Sequence, residues 1–141
     1  MLSILEKYKQ KGSFTFKIGD NLRDVCNAPS NCSGLYLIYA FEKGKEQLIY
    51  IGISGRSGKN GEIIHRKDGL RGRFVSGKQF GDRRQHSWAN QMKLETIERL
   101  RIQWYVTHGE FNSDLPRDIE IKLLHEFDPV NNTIPRWNKR I

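Results

Sequence analysis

The chain lacks most of what marks a secreted, membrane-spanning or metal-stapled protein. Its 141 residues include only two cysteines, Cys26 and Cys32, and neither has the C-x-x-C spacing or the paired histidines of a zinc site. Both are expected as free thiols. No apolar run approaches the roughly 18 residues that a membrane span needs, and the start, Met1-Leu2-Ser3-Ile4-Leu5-Glu6-Lys7, meets charge too soon for a signal-peptide core. The expectation is a cytoplasmic protein with no membrane partner. No internal repeat or low-complexity block divides the sequence, and a chain of this length can bury a core without disulfides or a structural metal. One domain over residues 1–141 is the simplest organisation.

Acidic residues are outnumbered, 16 against 24 lysines and arginines, which leaves a net charge of +8. Such a surface suits a polyanion, because each cation that neutralises a phosphate also releases a condensed counterion. The excess is concentrated between Arg56 and Arg84, where nine basic residues stand against three acidic ones. Phe74, Phe80 and Trp88 lie close enough in sequence to stack or wedge against bases, although the same rings also serve as core. A nucleotide-hydrolysing loop is missing: Gly52-Ile53-Ser54-Gly55-Arg56-Ser57-Gly58-Lys59 has Ile53 where a phosphate loop needs glycine, and Asn60 follows the lysine. The four histidines show no i, i+4 pair. His65 and His86 flank the basic helix and are reserve candidates for proton transfer.

Hydropathy patterning predicts a short helix over 3–10, a strand over 13–18 and a helical turn over 21–26. Residues 34–41 and 47–53, rich in β-branched and aromatic side chains, read as a hairpin around Glu42-Lys43-Gly44-Lys45, with apolar residues on both faces. An odd-length loop would put Tyr36 and Tyr50 on one face; an even-length loop would put them on opposite faces. A glycine-rich loop spans 54–67, and helices are expected over 70–75 and over 87–92 with Ser87 as cap. A strand with one wet face follows at 100–107, then a helix from Asp114-Leu115-Pro116 to Phe127, with Asp114 as cap and Pro129 as stop. The expected fold is α+β, a small central antiparallel β-sheet of about three strands flanked by helices. Within the last helix Leu115, Ile119, Leu123 and Phe127 form an apolar stripe, and Glu120 falls on or beside it. Such a carboxylate either reaches solvent at the stripe's edge or needs a cation or hydrogen bonds.

Gly34-Leu35-Tyr36, Tyr50-Ile51-Gly52, a following arginine helix, a later helical glutamate and a terminal asparagine occur in that order. In order and content the chain resembles the GIY-YIG nuclease family, with Leu35 in place of the isoleucine. The likeness spans about residues 33–138 and leaves 1–32 as an N-terminal extension. It implies that Tyr36 and Tyr50 are the catalytic tyrosines and that Leu70-Arg71-Gly72-Arg73-Phe74 carries the catalytic arginine, Arg73, with Arg71 as fallback. It makes Glu120 the ligand of Mg²⁺ or Mn²⁺. Pro129-Val130-Asn131-Asn132 and Pro135-Arg136-Trp137-Asn138 both resemble the family's terminal Pro-x-x-Asn; Asn138 is favoured over Asn132. The residue after Tyr50-Ile51-Gly52, often lysine in repair members, is Ile53 here, so Lys59 or Lys67 would have to substitute from the loop. The expected activity is metal-dependent hydrolysis of DNA by a stand-alone restriction-like or mobile-element endonuclease. Arg56, Lys59, Arg66, Lys67, Arg71, Lys78, Arg83 and Arg84 are the expected DNA contacts. A non-catalytic nucleic-acid-binding protein and a ribonuclease are the alternatives.

Overall fold

A two-residue turn sets the centre of the structure. Lys43 and Gly44 take positive φ of 51° and 75°, the left-handed pair whose twist suits a tight hairpin between β2 (Ser33–Glu42) and β3 (Lys45–Ser54). The computed structural model, which describes residues 2–139, adds β1 (Lys11–Phe16) and β8 (Arg99–His108). These form a four-stranded antiparallel sheet of order β1-β8-β2-β3. The expected sheet of about three strands thus gains a fourth from the N-terminal segment. Phe14 and Phe16 of β1 are buried while Lys11, Ser13 and Thr15 are exposed, so the strand has one core face.

An even-length turn should separate Tyr36 from Tyr50, and a bulge reverses that outcome. The ladder pairs Tyr39 with Leu48 but Ile38 with Tyr50, which leaves Ile49 as an extra residue in β3. A slip of one residue exchanges the faces of everything beyond it. Tyr50 therefore joins Tyr36, Ile38 and Ile49 on one face, whereas Leu35, Leu37 and Ile51 occupy the other.

Both faces are covered. The tyrosine face packs against α1 (Leu22–Val25), α2 (Gly69–Val75) and α3 (Arg84–Glu95) through Leu22, Leu70, Phe74, Trp88 and Met92. The opposite face packs against a 3-10 turn (Leu2–Leu5), shorter than the expected helix, and against α4 (Pro116–Phe127) through Ile119, Leu123 and Leu124. The expected caps are not used. α3 starts at Arg84, so Ser87 is buried inside it. Leu115 caps α4, while Asp114 accepts hydrogen bonds at 2.7 Å from the Tyr8 hydroxyl and from Lys7 Nζ.

The basic segment has its own small hairpins. β4 (Arg56–Ser57) pairs with β5 (Ile63–Ile64), and β6 (Lys78–Gln79) pairs with β7 (Asp82–Arg83). The exposed edge of β3 is closed by the chain's last described residues: Trp137 N donates to Ile49 O at 2.9 Å, and the Asn138 amide bonds both backbone groups of Ile51. That closure satisfies an edge otherwise open to pairing. Among the described residues no helix is long and apolar enough to cross a membrane.

Candidate active site

The glycines of the two tripeptides are there for close approach. Gly52 lies opposite Tyr36 in the ladder, and a Cβ on it would sit 2.4 Å from Tyr36 Cζ and 2.5 Å from Tyr50 Cε2. A Cβ on Gly34 would meet the Tyr105 carbonyl oxygen of β8 at 1.9 Å. Freed of side chains at these points, the sheet lets the Tyr36 ring lie across β3, 5.9 Å from the Tyr50 ring and 4.6 Å from Phe74. Tyr36 is wholly buried and Tyr50 half-buried.

Two guanidiniums meet these phenols. Arg73, on α2, lies against both, and the tyrosines, Tyr36 foremost, raise its pKa further. Arg84, the first residue of α3, is fully buried: its Nη2 donates to the Tyr36 hydroxyl at 2.9 Å and its Nη1 to the Arg73 carbonyl at 2.7 Å. Its guanidinium also lies 6.0 Å from the Tyr36 ring centre and 5.9 Å from that of Trp88. Burial lowers the Arg84 pKa, and Arg73 and Arg66 add to that pull. Tyr36, first, and burial, second, push the Tyr50 hydroxyl well above the ordinary tyrosine range, against the attraction of Arg84 and Arg73. A Tyr50 phenolate at neutral pH is therefore disfavoured in this environment.

Two expected roles are corrected here. Arg84 has no exposed surface and cannot reach a phosphate. Arg71 donates to the Cys26 and Arg23 carbonyls at 2.8 Å each, tying the half-exposed side chain to the end of α1 and away from the phenols, so it is no fallback for Arg73. Arg56, Lys59, Lys67, Lys78 and Arg83 are exposed, and Arg66 is half-buried.

Arg73 also lines an open cleft of about 360 Å³, together with Arg56, Arg66, His65 and Ser54. Arg66 and Arg73 each have a buried Nε without a hydrogen-bond partner. Three cations on one cleft give it a positive field that attracts anions. His65 is held at its rim by Ser33, whose Oγ is 2.6 Å from Nδ1.

Glu120 lies on α4, which packs on the sheet face opposite the tyrosines, and does not line the cleft. It is nonetheless within electrostatic reach: Glu120 raises the Tyr50 pKa, and Arg73 lowers that of Glu120. The net shift of its carboxyl is upward, because burial outweighs the hydrogen bond from Arg117, Nη1 to Oε1 at 2.5 Å, and the nearby arginine charges. No group of three or more His, Cys, Asp or Glu side chains stands together among the described residues. A single carboxylate does not make a zinc site; Mg²⁺ and Mn²⁺ keep several waters and use one or two protein carboxylates. Of the two asparagines, Asn138 bonds Ile51, next to Tyr50, whereas Asn132 is exposed in the turn after α4 with φ of 56°.

No protein-family model, curated protein or solved structure matches the chain. The structural roles of Arg84 and Ser33 have no local signature. Arg84 stands in a run of exposed cations, and only the packing of α3 under Tyr36 sets it apart. Ser33 precedes the first tripeptide but meets His65 only through a contact 32 residues distant.

Proposed function

We propose that this protein is a metal-dependent endonuclease of the GIY-YIG type that hydrolyses phosphodiester bonds in DNA. The observation that carries this reading is Arg73, which lines an open cationic cleft within electrostatic reach of both tyrosines. A scissile phosphate in that cleft meets Arg73 and Arg66, whose fixed charges favour the extra negative charge of the transition state. Tyr50 acts as a neutral hydroxyl that orders the attacking water, in keeping with its raised pKa. Arg84 holds the Tyr36 hydroxyl from behind. Asn138 fixes the β3 edge beside Tyr50 by bonding Ile51. Glu120 would hold the divalent ion, which supplies Lewis-acid stabilisation of the phosphate and the leaving oxygen. The new bond joins water oxygen to phosphorus, the bond to the sugar oxygen breaks, and the leaving oxygen takes up a proton.

The exposed cations Arg56, Lys59, Lys67, Lys78 and Arg83 provide backbone affinity without reading sequence. Nicking of supercoiled plasmid by the purified protein with Mg²⁺, and its loss in EDTA, tests the reading. Parallel RNA substrates separate it from a ribonuclease.

A second reading, a non-catalytic nucleic-acid-binding protein, is favoured by the Arg117–Glu120 ion pair, which engages the carboxylate proposed for the metal. It requires salt-sensitive DNA binding with no nicking in either Mg²⁺ or Mn²⁺.

A further inference from the structure

Hydrolysis at neutral pH needs a group that accepts the proton of the attacking water, and the phenols are poorly suited. Tyr36 has no exposed surface, and burial and its neighbour hold Tyr50 protonated. His65 has what they lack. It is exposed and lines the same cleft as Arg73, and imidazole is the side chain whose charge change ordinarily falls between about pH 5 and 8.

Its ring is also oriented. Nδ1 lies 2.6 Å from Oγ of Ser33, which is fully buried at the start of β2. The His108 ring of β8 stands edge-on at 5.6 Å, so the imidazole is held from two sides. Ser33 and His108 are themselves paired across the ladder, which makes the support part of the sheet. A Cβ on Gly55 would meet Ser33 Oγ at 2.4 Å, so the strand end leaves room for the hydroxyl only because that residue is glycine.

We propose that His65 is the general base of this site and Ser33 its positioning residue. This rests on the nuclease reading above. Nδ1–H donates to Ser33 Oγ, which leaves the Nε2 lone pair as the acceptor on the other side of the ring. As water oxygen bonds to phosphorus, its proton passes to Nε2. The bond from phosphorus to the leaving sugar oxygen breaks, and that oxygen is protonated from solvent. The imidazolium keeps its Nδ1–H bond to Ser33 and later returns its proton to solvent. The charged and titratable groups around His65 are Arg56 of β4, Arg66, Arg73 of α2 and His108 of β8. Separate substitution of His65 and His108 distinguishes their contributions to a pH profile.

The test is the pH dependence of single-turnover nicking, at saturating Mg²⁺, for the parent, His65→Gln, His65→Ala, Ser33→Ala and His108→Gln. The parent rate should rise with pH and level off. His65→Gln should lose about 10²-fold or more in rate together with the bend, while its affinity for DNA in EDTA stays within about twofold. Added imidazole should restore part of the His65→Ala rate, a response that a purely structural role would not give. Ser33→Ala and His108→Gln, which each remove one side of the ring's support, should keep the bend but displace it. A His65→Gln enzyme with the parental profile, or an inactive His65→Ala that imidazole fails to rescue, overturns the assignment. A parent protein that nicks nothing in Mg²⁺ or Mn²⁺ overturns the nuclease reading itself, a result distinct from either.

Discussion

The two faces of the β2–β3 hairpin use the same strands for opposite ends. Leu35, Leu37 and Ile51 point to a side filled by Ile119, Leu123 and Leu124, where aliphatic groups meet aliphatic groups. Tyr36 and Tyr50 point to the other side, where the packing includes a wholly buried guanidinium and rests on three helices. The first face contributes stability through apolar area removed from water. The second spends packing on polar groups, whose burial costs free energy unless each finds a partner. Arg84 finds two partners and still has an unpaired Nε, with no carboxylate opposite it. A face that tolerates such a residue is organised for something besides stability.

The largest expected effects fall on Arg73 and on Glu120, the proposed metal ligand. Arg73→Ala and Glu120→Ala should each lower Mg²⁺-dependent nicking by about 10³-fold while leaving most salt-sensitive DNA binding, measured by fluorescence anisotropy. Parental nicking by Glu120→Ala would remove the metal assignment.

A paired measurement separates the faces directly. Leu123→Ala, which opens a cavity in the aliphatic core, should cost about 2–5 kcal/mol of stability in urea unfolding but leave the nicking rate of the folded fraction intact. Arg84→Met should do the reverse: little change or a gain in stability, since an unpaired buried charge is removed, with slower nicking because the Tyr36 hydroxyl loses its donor. If Arg84→Met nicked at the parental rate, the functional reading of that face would fail.

Glu120 allows a pH test without activity. Burial raises its carboxyl above the ordinary 4.5, so on raising the pH the unfolded chain releases this proton before the folded chain does. The stability this group confers is whole below pH 4.5 and is lost as pH climbs through the folded value. Glu120→Gln should therefore be as stable as the parent near pH 4 and equally or more stable at pH 7, read by thermal melts in EDTA. A variant clearly less stable at pH 7 would mean that the Arg117 ion pair outweighs desolvation.

The smallest effects concern the exposed cations. Alanine at Lys78 or Arg83 should each reduce the slope of log affinity against log salt by about 0.9. Arg71→Ala should leave the slope alone, because that guanidinium is already spent on the Cys26 and Arg23 carbonyls.

Much of the frame was legible from local pattern. The hairpin, the strand before His108, the arginine helix and the end of the last helix at Phe127 follow from alternation, helical period and stop signals. The caps were misread because Ser87 and Asp114 have the right chemistry but other tasks: Ser87 is buried within α3, and Asp114 is drawn off by Tyr8 and Lys7. Arg71 and Arg84 looked like surface cations because charge alone does not say which guanidinium a neighbouring helix will cover.

The sequence by itself determined the chain's strands, its turn and its basic excess, since these depend on residues close together along the backbone. It also placed glycines where two strands must approach within a side chain's width. Only the tertiary structure decided that Tyr36 and Tyr50 share a face, because a bulge at Ile49 offsets the two-residue turn. It alone decided which arginine stands behind the phenols and which lines the cleft, and that Ser33 holds His65. Those outcomes depend on contacts between residues tens of positions apart, where packing and hydrogen-bond satisfaction outweigh local propensity.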